Sequence, residues 1–493
     1  MRLRVLIFAG RDISPMEIFC ALWYTGGMKR ISIPPELKKV NAVFERHGFG
    51  AYLVGGAVRD TLLGRPVSDW DIATGATPEQ VMGMFRKVVP TGIAHGTVTV
   101  HVFGKQIETT TFRTESSYSD GRHPDTVRYA ASIEEDLSRR DFTMNAIAAE
   151  LGTGVLVDPF GGQKDIGQGV IRTVGNPLER FAEDGLRPVR AIRFMGQLGF
   201  TIEKDTLDAI SHPDVLSKTA SVSVERFRDE WCKLLQTERP SHALRLLERT
   251  GILSLFIPEF SVCRGCTQAD ARGFHEFDVA DHILYAVDGA PKQNLHVRLA
   301  AFYHDIGKPE CRTTECVNGR TLIHFHRHEA ASEKKCRDSM RRLKFPNSDI
   351  QKVAHLVSAH MFHYESAWSD AAVRRFIVRV GGDQFEDLLA LRLSDIYGMH
   401  NRPLAEGSPS WNLLAELKKR VMSVIDARAA LSIKDLAVNG SDLIALGIPE
   451  GKTLGLILRE LFDTVTESPA MNTRKALLTL AKNCYEQKYA MPL

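Results

Sequence analysis

The chain has 493 residues, 44% of them hydrophobic and 25% charged, with 63 Lys and Arg against 60 Asp and Glu for a net charge of +3. This is globular composition, enough for about three or four domains, and no run approaches the ~20 apolar residues that would span a bilayer. The eight cysteines form no disulfide-like framework, which predicts a reducing, cytoplasmic setting, and a net charge this small excludes no class of partner, because a large protein can concentrate basic charge in one groove.

Residues 1–27 carry a short apolar run, Val5–Gly10, and end in Thr25-Gly26-Gly27. They lack the longer apolar core and small-residue cleavage site of a secretory signal. Met28, followed by Lys29 and Arg30, is the expected functional start, and 1–27 the expected extension without a role. Residues 36–48 predict an amphipathic helix with Leu37, Val40, Val43 and Phe44 on one face. Ala51–Val54 predicts a strand running into Gly55-Gly56, and Val98–Phe103 and Ile107–Phe112 two more. Residues 114–126, rich in Ser, Asp, Gly and Pro, predict a loop. This α+β block ends near residue 170, and apolar spacing is helical from there almost to the C-terminus. Breaks are expected near 172–178, 258–274 and 402–411. Cys263 and Cys266 form a CxxC pair with no second pair at zinc spacing, which reads as free thiols.

The chemistry concentrates in Leu53-Val54-Gly55-Gly56-Ala57-Val58-Arg59-Asp60 and, close behind it, Ser68-Asp69-Trp70-Asp71-Ile72. Two glycines at a strand end let the backbone approach a phosphate and offer it N–H groups, and Arg59 adds a fixed charge for a triphosphate. Carboxylates two apart on a strand share a face. Such a pair suits two Mg²⁺ ions, which take oxygen ligands and serve phosphoryl chemistry.

These residues resemble the polymerase-β-like nucleotidyltransferases and, within them, the bacterial class II tRNA nucleotidyltransferase and poly(A) polymerase family. The resemblance covers roughly residues 36–493. It implies that Asp69 and Asp71 bind the catalytic metals, with Glu108 as a third acidic position, and that Gly55, Gly56 and Arg59 meet the nucleotide. Arg139-Arg140-Asp141-Phe142 looks like a second family motif, in which Arg140 contacts the nucleotide and Asp141 helps select ribose. Asp158-Pro159-Phe160-Gly161-Gly162 and Asp165 resemble the lead into the helical neck, where the glycines shape a turn.

Arg180-Phe181-Ala182-Glu183-Asp184-Gly185-Leu186-Arg187, continuing through Arg190 and Arg193, resembles the family's protein template for the incoming base. The chemistry follows from the side chains. Asp184 and Arg187, three apart on a helix, are neighbours. A carboxylate accepts and a guanidinium donates, matching the amine and bare ring nitrogen of cytosine or adenine and opposing uracil and guanine. Pro188 predicts that the helix kinks there or begins only near that point. Ser223-Val224-Glu225-Arg226-Phe227 opens a further helix, with a structural role expected.

His282, His304-Asp305-Ile306-Gly307-Lys308-Pro309 and Asp395 resemble the H…HD…D signature of HD phosphohydrolases, which implies a divalent metal on His282, His304, Asp305 and Asp395. His328 and His360 are further candidate ligands. The tail from Asp435 through Gly455 resembles the family's C-terminal region.

The implied architecture is α+β: a small mixed-sheet head at 28–170, a helical neck at 171–257, an HD body at 258–401 and a helical tRNA-binding tail at 402–493. The implied activity is template-independent addition of C, C and A to tRNA from CTP and ATP. Asp120-Gly121-Arg122-His123-Pro124 resembles the loop that switches such enzymes from C to A. The alternatives are a poly(A) polymerase, whose family's arginine-rich stretch is poorly matched by Phe85–Thr97, an A-only tRNA nucleotidyltransferase, and a metal-dependent phosphohydrolase with an RNA-binding head.

Overall fold

The computed structural model describes residues 29–67, 69–116, 126–270, 276–427 and 430–489. The expected extension 1–27 and the loop positions Asp120 and Arg122 lie outside the described residues. The chain divides after Pro258 into two compact units.

In the first unit the helix Pro35–Arg46 starts at a proline and buries Leu37, Val40 and Phe44, the apolar stripe expected of it. The head sheet uses β1 (Ala51–Val54), β2 (Trp70–Thr74), β3 (Val88–Gly92), β4 (Thr97–Val102), β5 (Lys105–Thr111), β8 (Ala148–Glu150) and β9 (Leu156–Val157). Their order is β3-β4-β5-β2-β1-β8-β9. The β2–β5 pair is parallel and the other neighbours are antiparallel. β6 (Arg113–Ser116) and β7 (Thr126–Tyr129) form a separate antiparallel pair. The expected loop at 114–126 therefore begins and ends in strand. Thr114, Thr126, Val127 and Tyr129 are β-branched or aromatic and favour extended backbone, whereas the turn formers lie between the strands.

Beyond the head come the helices Pro177–Glu183, Arg187–Leu198 and Val224–Leu235. Residues 180–187 do not form one helix. Asp184 adopts extended backbone, and a new helix starts at Arg187 with Pro188 in its first turn. Proline has no N–H to continue a ladder but fits a first turn, so the chain breaks just before it.

The second unit packs the helices Val279–Gly289, Leu295–Tyr303, His328–Arg342, Asn347–Ala359 and Phe385–His400. It also contains a β-hairpin, Arg312–Val317 with Arg320–Phe325, which corrects the reading of this region as helical throughout. Asn318 and Gly319 at its tip both have positive φ, 51° and 74°. A two-residue Asn-Gly hairpin turn requires that, because only this handedness matches strand twist. At the C-terminal end, Leu443, Ile457, Leu461 and Leu477 form a separate apolar core. No helix among the described residues is long and apolar enough to cross a membrane.

Candidate functional site

The head sheet delivers two carboxylates to one place. Asp71 on β2 lies in register with Glu108 on β5 and with Val54 on β1. Residues opposite one another across strands share a face, and all three line a cleft of about 660 Å³. At the end of β1, Gly55 has φ 68°. A Cβ there would stand 3.0 Å from Arg140 Nη1 and 3.9 Å from Asp71, so glycine keeps this rim open. Loss of hydration, then the like charge of Glu108, pushes the Asp71 carboxyl up to about 6, with Arg140 opposing and Asp69 adding to the rise. Asp69 precedes β2 and is exposed, so the expected pairing of both carboxylates along one strand holds for Asp71 alone. Three mutually repelling carboxylates are a donor set that suits hard divalent cations.

A row of ion pairs runs along one side of the cleft and on behind it. Asp136, buried beneath it, takes Arg139 at 2.8 Å and Arg140 at 3.2 Å. Asp141 Oδ1 accepts from the Phe142 N–H (2.8 Å) and Asn145 Nδ2 (3.0 Å), and its Oδ2 lies 2.7 Å from Arg190 Nη2. Burial pushes the Asp141 carboxyl up, but Arg190, the Asn145 hydrogen bond and Arg187 together outweigh it and hold the group well below the usual range. Arg190 continues to Glu230 (3.6 Å), which also binds Arg193 (2.5 Å).

Arg59 and Arg193 are not in the cleft. Arg59 is buried, bonded to Asn145 (2.8 Å) and Asp60 (2.9 Å) and set 5.0 Å from the Phe194 ring centre. It ties the Gly56–Leu62 helix to its surroundings and does not present charge to a triphosphate. Gly56 backs onto Arg59, and Arg193 is buried against Glu230. Asp158 accepts from the Gly162 and Gln163 N–H groups (2.7 and 2.9 Å), capping the next helix, so Gly161 and Gly162 do shape a turn.

Asp184 and Arg187 both line the cleft, but they do not pair. Asp184 accepts from the Leu186 N–H (3.0 Å) and is gripped by Arg226 through two bonds of 3.0 and 2.7 Å. Arg187 donates to the carbonyls of Arg180 (2.9 Å) and Arg139 (3.0 Å) and to Glu183. Between them, Gly185 packs against the Lys218 carbonyl, which would lie 2.4 Å from any Cβ. Arg226 is the cleft residue whose role sequence reading missed. Its place one turn into a neck helix looked structural, and no local spacing links it to Asp184, 42 positions away.

A second constellation lies in the other unit. His282, His304, Asp305 and Asp395 converge with their ligand atoms within 4.8 Å of one another, as do Asp305, His328 and His360, all buried. Close backbone packing brings them together. A Cβ on Gly398 would sit 2.7 Å from the His282 carbonyl, and one on Gly307 2.5 Å from the Ser332 N. These glycines let the Asp395 helix approach His282 and let the Asp305 turn settle on the helix that carries His328. Cys263 and Cys266 are free thiols.

Three family models match the chain: the poly A polymerase head domain at residues 51–172, the probable RNA- and SrmB-binding site of polymerase A at 199–263, and the putative tRNA nucleotidyltransferase domain 2 at 321–481. The chain is 50% identical over 228 residues to the CCA-adding enzyme of a Geobacillus species, covering 46% of this chain and 55% of that one. It thus spans about half the length of the first curated relatives it matches. Against the CCA-adding enzyme of Enterococcus faecalis it is 34% identical over 461 residues, 92% of this chain and 98% of the relative. Its fold matches the Bacillus stearothermophilus CCA-adding enzyme solved in complex with CTP, with TM-score 0.68 and 30% identity over 93% of this chain and all of that one. On this near full-length likeness, the chain belongs to the CCA-adding enzyme family.

Proposed function

We propose that the protein adds C, C and A to the 3′ end of tRNA, using CTP and ATP and no nucleic-acid template. The observation that carries this reading is one cleft lined by Asp71, Glu108, Arg140 and Asp141 and also by Asp184, Arg187 and Arg226. The first group suits phosphoryl transfer and the second suits reading a base. Asp69, Asp71 and Glu108 would hold Mg²⁺, whose chemistry there is activation of the 3′-hydroxyl and neutralisation of the leaving pyrophosphate. Arg140 places positive charge beside Gly55 at the cleft rim, where phosphates would lie. Asp141, held ionised by Arg190, accepts from a ribose hydroxyl. Asp184 accepts from the base amine, and Arg187 donates to the ring nitrogen. The relative solved with CTP supports the same substrate class here. Incubating tRNA transcripts that lack CCA with CTP and ATP, then sequencing the ends, tests the reading. Complete CCA ends are expected. Ends carrying A alone, or A tracts, would replace it with an A-adding or poly(A) polymerase.

The buried His282, His304, Asp305 and Asp395 set favours a second activity, metal-dependent phosphohydrolysis. Nitrogen and oxygen donors together suit a divalent transition ion, whose chemistry there is to generate a hydroxide from bound water. Release of phosphate from phosphomonoesters, or opening of 2′,3′-cyclic phosphates, should appear with added Mn²⁺ or Ni²⁺ and vanish in His304→Ala while CCA addition continues. Loss of both activities in a folded variant would show that the two sites depend on each other.

A further inference from the structure

We infer that the hydroxyl pair of Thr97 and Thr110 reads the 2′-hydroxyl of the nucleotide at the growing RNA end, and so restricts the acceptor strand to RNA. The inference rests on the reading of the cleft as a site of nucleotide addition.

The head sheet sets the direction. Across the cleft its strands run β1, β2, β5, β4, β3. Gly55, with Arg140 beside it, closes the β1 end, while Asp71 stands on β2 and Glu108 on β5. In an in-line displacement the attacking oxygen and the leaving pyrophosphate lie on opposite sides of the transferred phosphorus. With the triphosphate at Gly55 and Arg140, the attacking 3′ end lies across the carboxylates, toward β4.

Thr110 lies two residues beyond Glu108 on β5, hence on the same face, and Thr97 on β4 stands opposite it. Both line the cleft. Two residues along a strand are about 7 Å, within the reach of one nucleotide whose 3′-hydroxyl is at the carboxylates.

The chemistry of the pair fits that sugar. Thr97 Oγ1 and Thr110 Oγ1 are 3.0 Å apart, and among the described residues these two hydroxyls bond only each other. One donates to the other, so the pair keeps one hydrogen and spare lone pairs for a ligand. A ribose 2′-hydroxyl both donates and accepts, and it is the group by which a protein tells RNA from DNA. Deoxyribose offers the pair nothing. The incoming nucleotide's sugar has its acceptor in Asp141, which leaves this pair for the acceptor strand.

The pair is also kept open and fixed. Its neighbour on β3 is Gly92, where a Cβ would stand 3.5 Å from Thr97 Cβ, so glycine leaves the approach clear. The Thr111 N–H donates to the Gly96 carbonyl at 2.9 Å, and the Arg113 guanidinium donates to the His95 carbonyl. These bonds lock the turn that leads into Thr97 against the end of the strand that carries Thr110.

The test uses the full-length chain and two tRNA acceptors ending in CC, identical except that the last sugar is ribose in one and 2′-deoxyribose in the other. Addition of A to each is measured as kcat/KM for the parent, for Thr97→Val with Thr110→Val, and for Thr97→Ser with Thr110→Ser. Valine keeps the shape and removes the hydroxyl. The valine variant should lower the parent's preference for the ribose end by about 5- to 150-fold, the effect of two hydrogen bonds, and the serine variant should retain it. Comparing ratios cancels any influence of the 2′-hydroxyl on the reactivity of its neighbour. Unchanged thermal unfolding and ATP affinity report intact variants. Thr97→Val and Thr110→Val made singly, each lowering the preference by about 2- to 12-fold, carry the same test where the double variant does not fold. Equal slowing of both acceptors, loss of the preference in the serine variant as fully as in the valine one, or an altered preference for ATP over 2′-deoxy-ATP in its place would overturn the inference and leave nucleotide addition standing. A parent that extends neither acceptor would overturn the addition reading itself.

Discussion

Replacing Asp184 with asparagine asks whether this side chain reads the base. Its Oδ1 accepts two hydrogen bonds, from the Leu186 N–H and Arg226 Nη1, while Oδ2 accepts one, from Arg226 Nη2. An asparagine satisfies the larger number of donors by placing its carbonyl oxygen at the Oδ1 position. Its NH₂ then occupies the Oδ2 position, where it meets Arg226 donor to donor, and the cleft exchanges an acceptor for a donor. The amines of cytosine and adenine lose a charge-assisted bond of about 1.5–3 kcal/mol, which is about 10- to 150-fold in kcat/KM for CTP and ATP. The carbonyls of uracil and guanine gain a partner, so UTP and GTP slow far less or improve. The measurement is kcat/KM for each of the four nucleoside triphosphates on one tRNA primer, with Asp69, Asp71 and Glu108 untouched. If all four fall by a common factor and the wild-type ranking survives, the residue fastens the helix break to Arg226 and does not read the base.

Asp69→Ala should abolish nucleotide addition while filter-binding affinity for tRNA stays within a few-fold, because phosphate contacts spread over the protein carry affinity. The raised Asp71 carboxyl, at about 6 in the folded chain against 3.8 ordinarily, binds a proton more readily folded than unfolded. Metal-free stability should therefore fall as pH rises from about 4 to 6, and Asp71→Asn should flatten that slope in thermal unfolding scans. The same group makes addition at limiting Mg²⁺ fall as pH drops below about 6, as one proton competes with the cation. Gly185→Ala would force a Cβ onto the Lys218 carbonyl. A loss of about 1–3 kcal/mol in urea unfolding, together with weakened base discrimination, is expected, and unchanged values for both would remove the close-packing argument.

How much the sequence disclosed depended on whether the signal was local. The Pro35–Arg46 stripe, β1 and the run into Gly55 are short-range patterns and were legible. So was the break before Pro188, which puts Asp184 on extended backbone and Arg187 at a new helix start instead of both on one helix face. Arg59 shows the opposite case. Its charge beside two glycines suggested a phosphate ligand, but Asn145 and Phe194, far away in sequence, claim it. Arg226 was overlooked for the same reason. The hairpin at 312–325 was a missed local signal, since Asn318-Gly319 between β-branched stretches is strong turn chemistry. The convergence of His282, His304, Asp305 and Asp395 was legible because their spacing is distinctive, whereas the way the two Asp305 oxygens face different histidine pairs depends on helix packing that no spacing reveals.

The row Asp141, Arg190, Glu230, Arg193 has alternating sign and sums to zero. Removing any single member leaves the row with a net charge in a medium that solvates it poorly. Paired exchanges along this row are therefore expected to be tolerated better than single ones, and variants made one residue at a time will underestimate how many different side chains the row can accommodate.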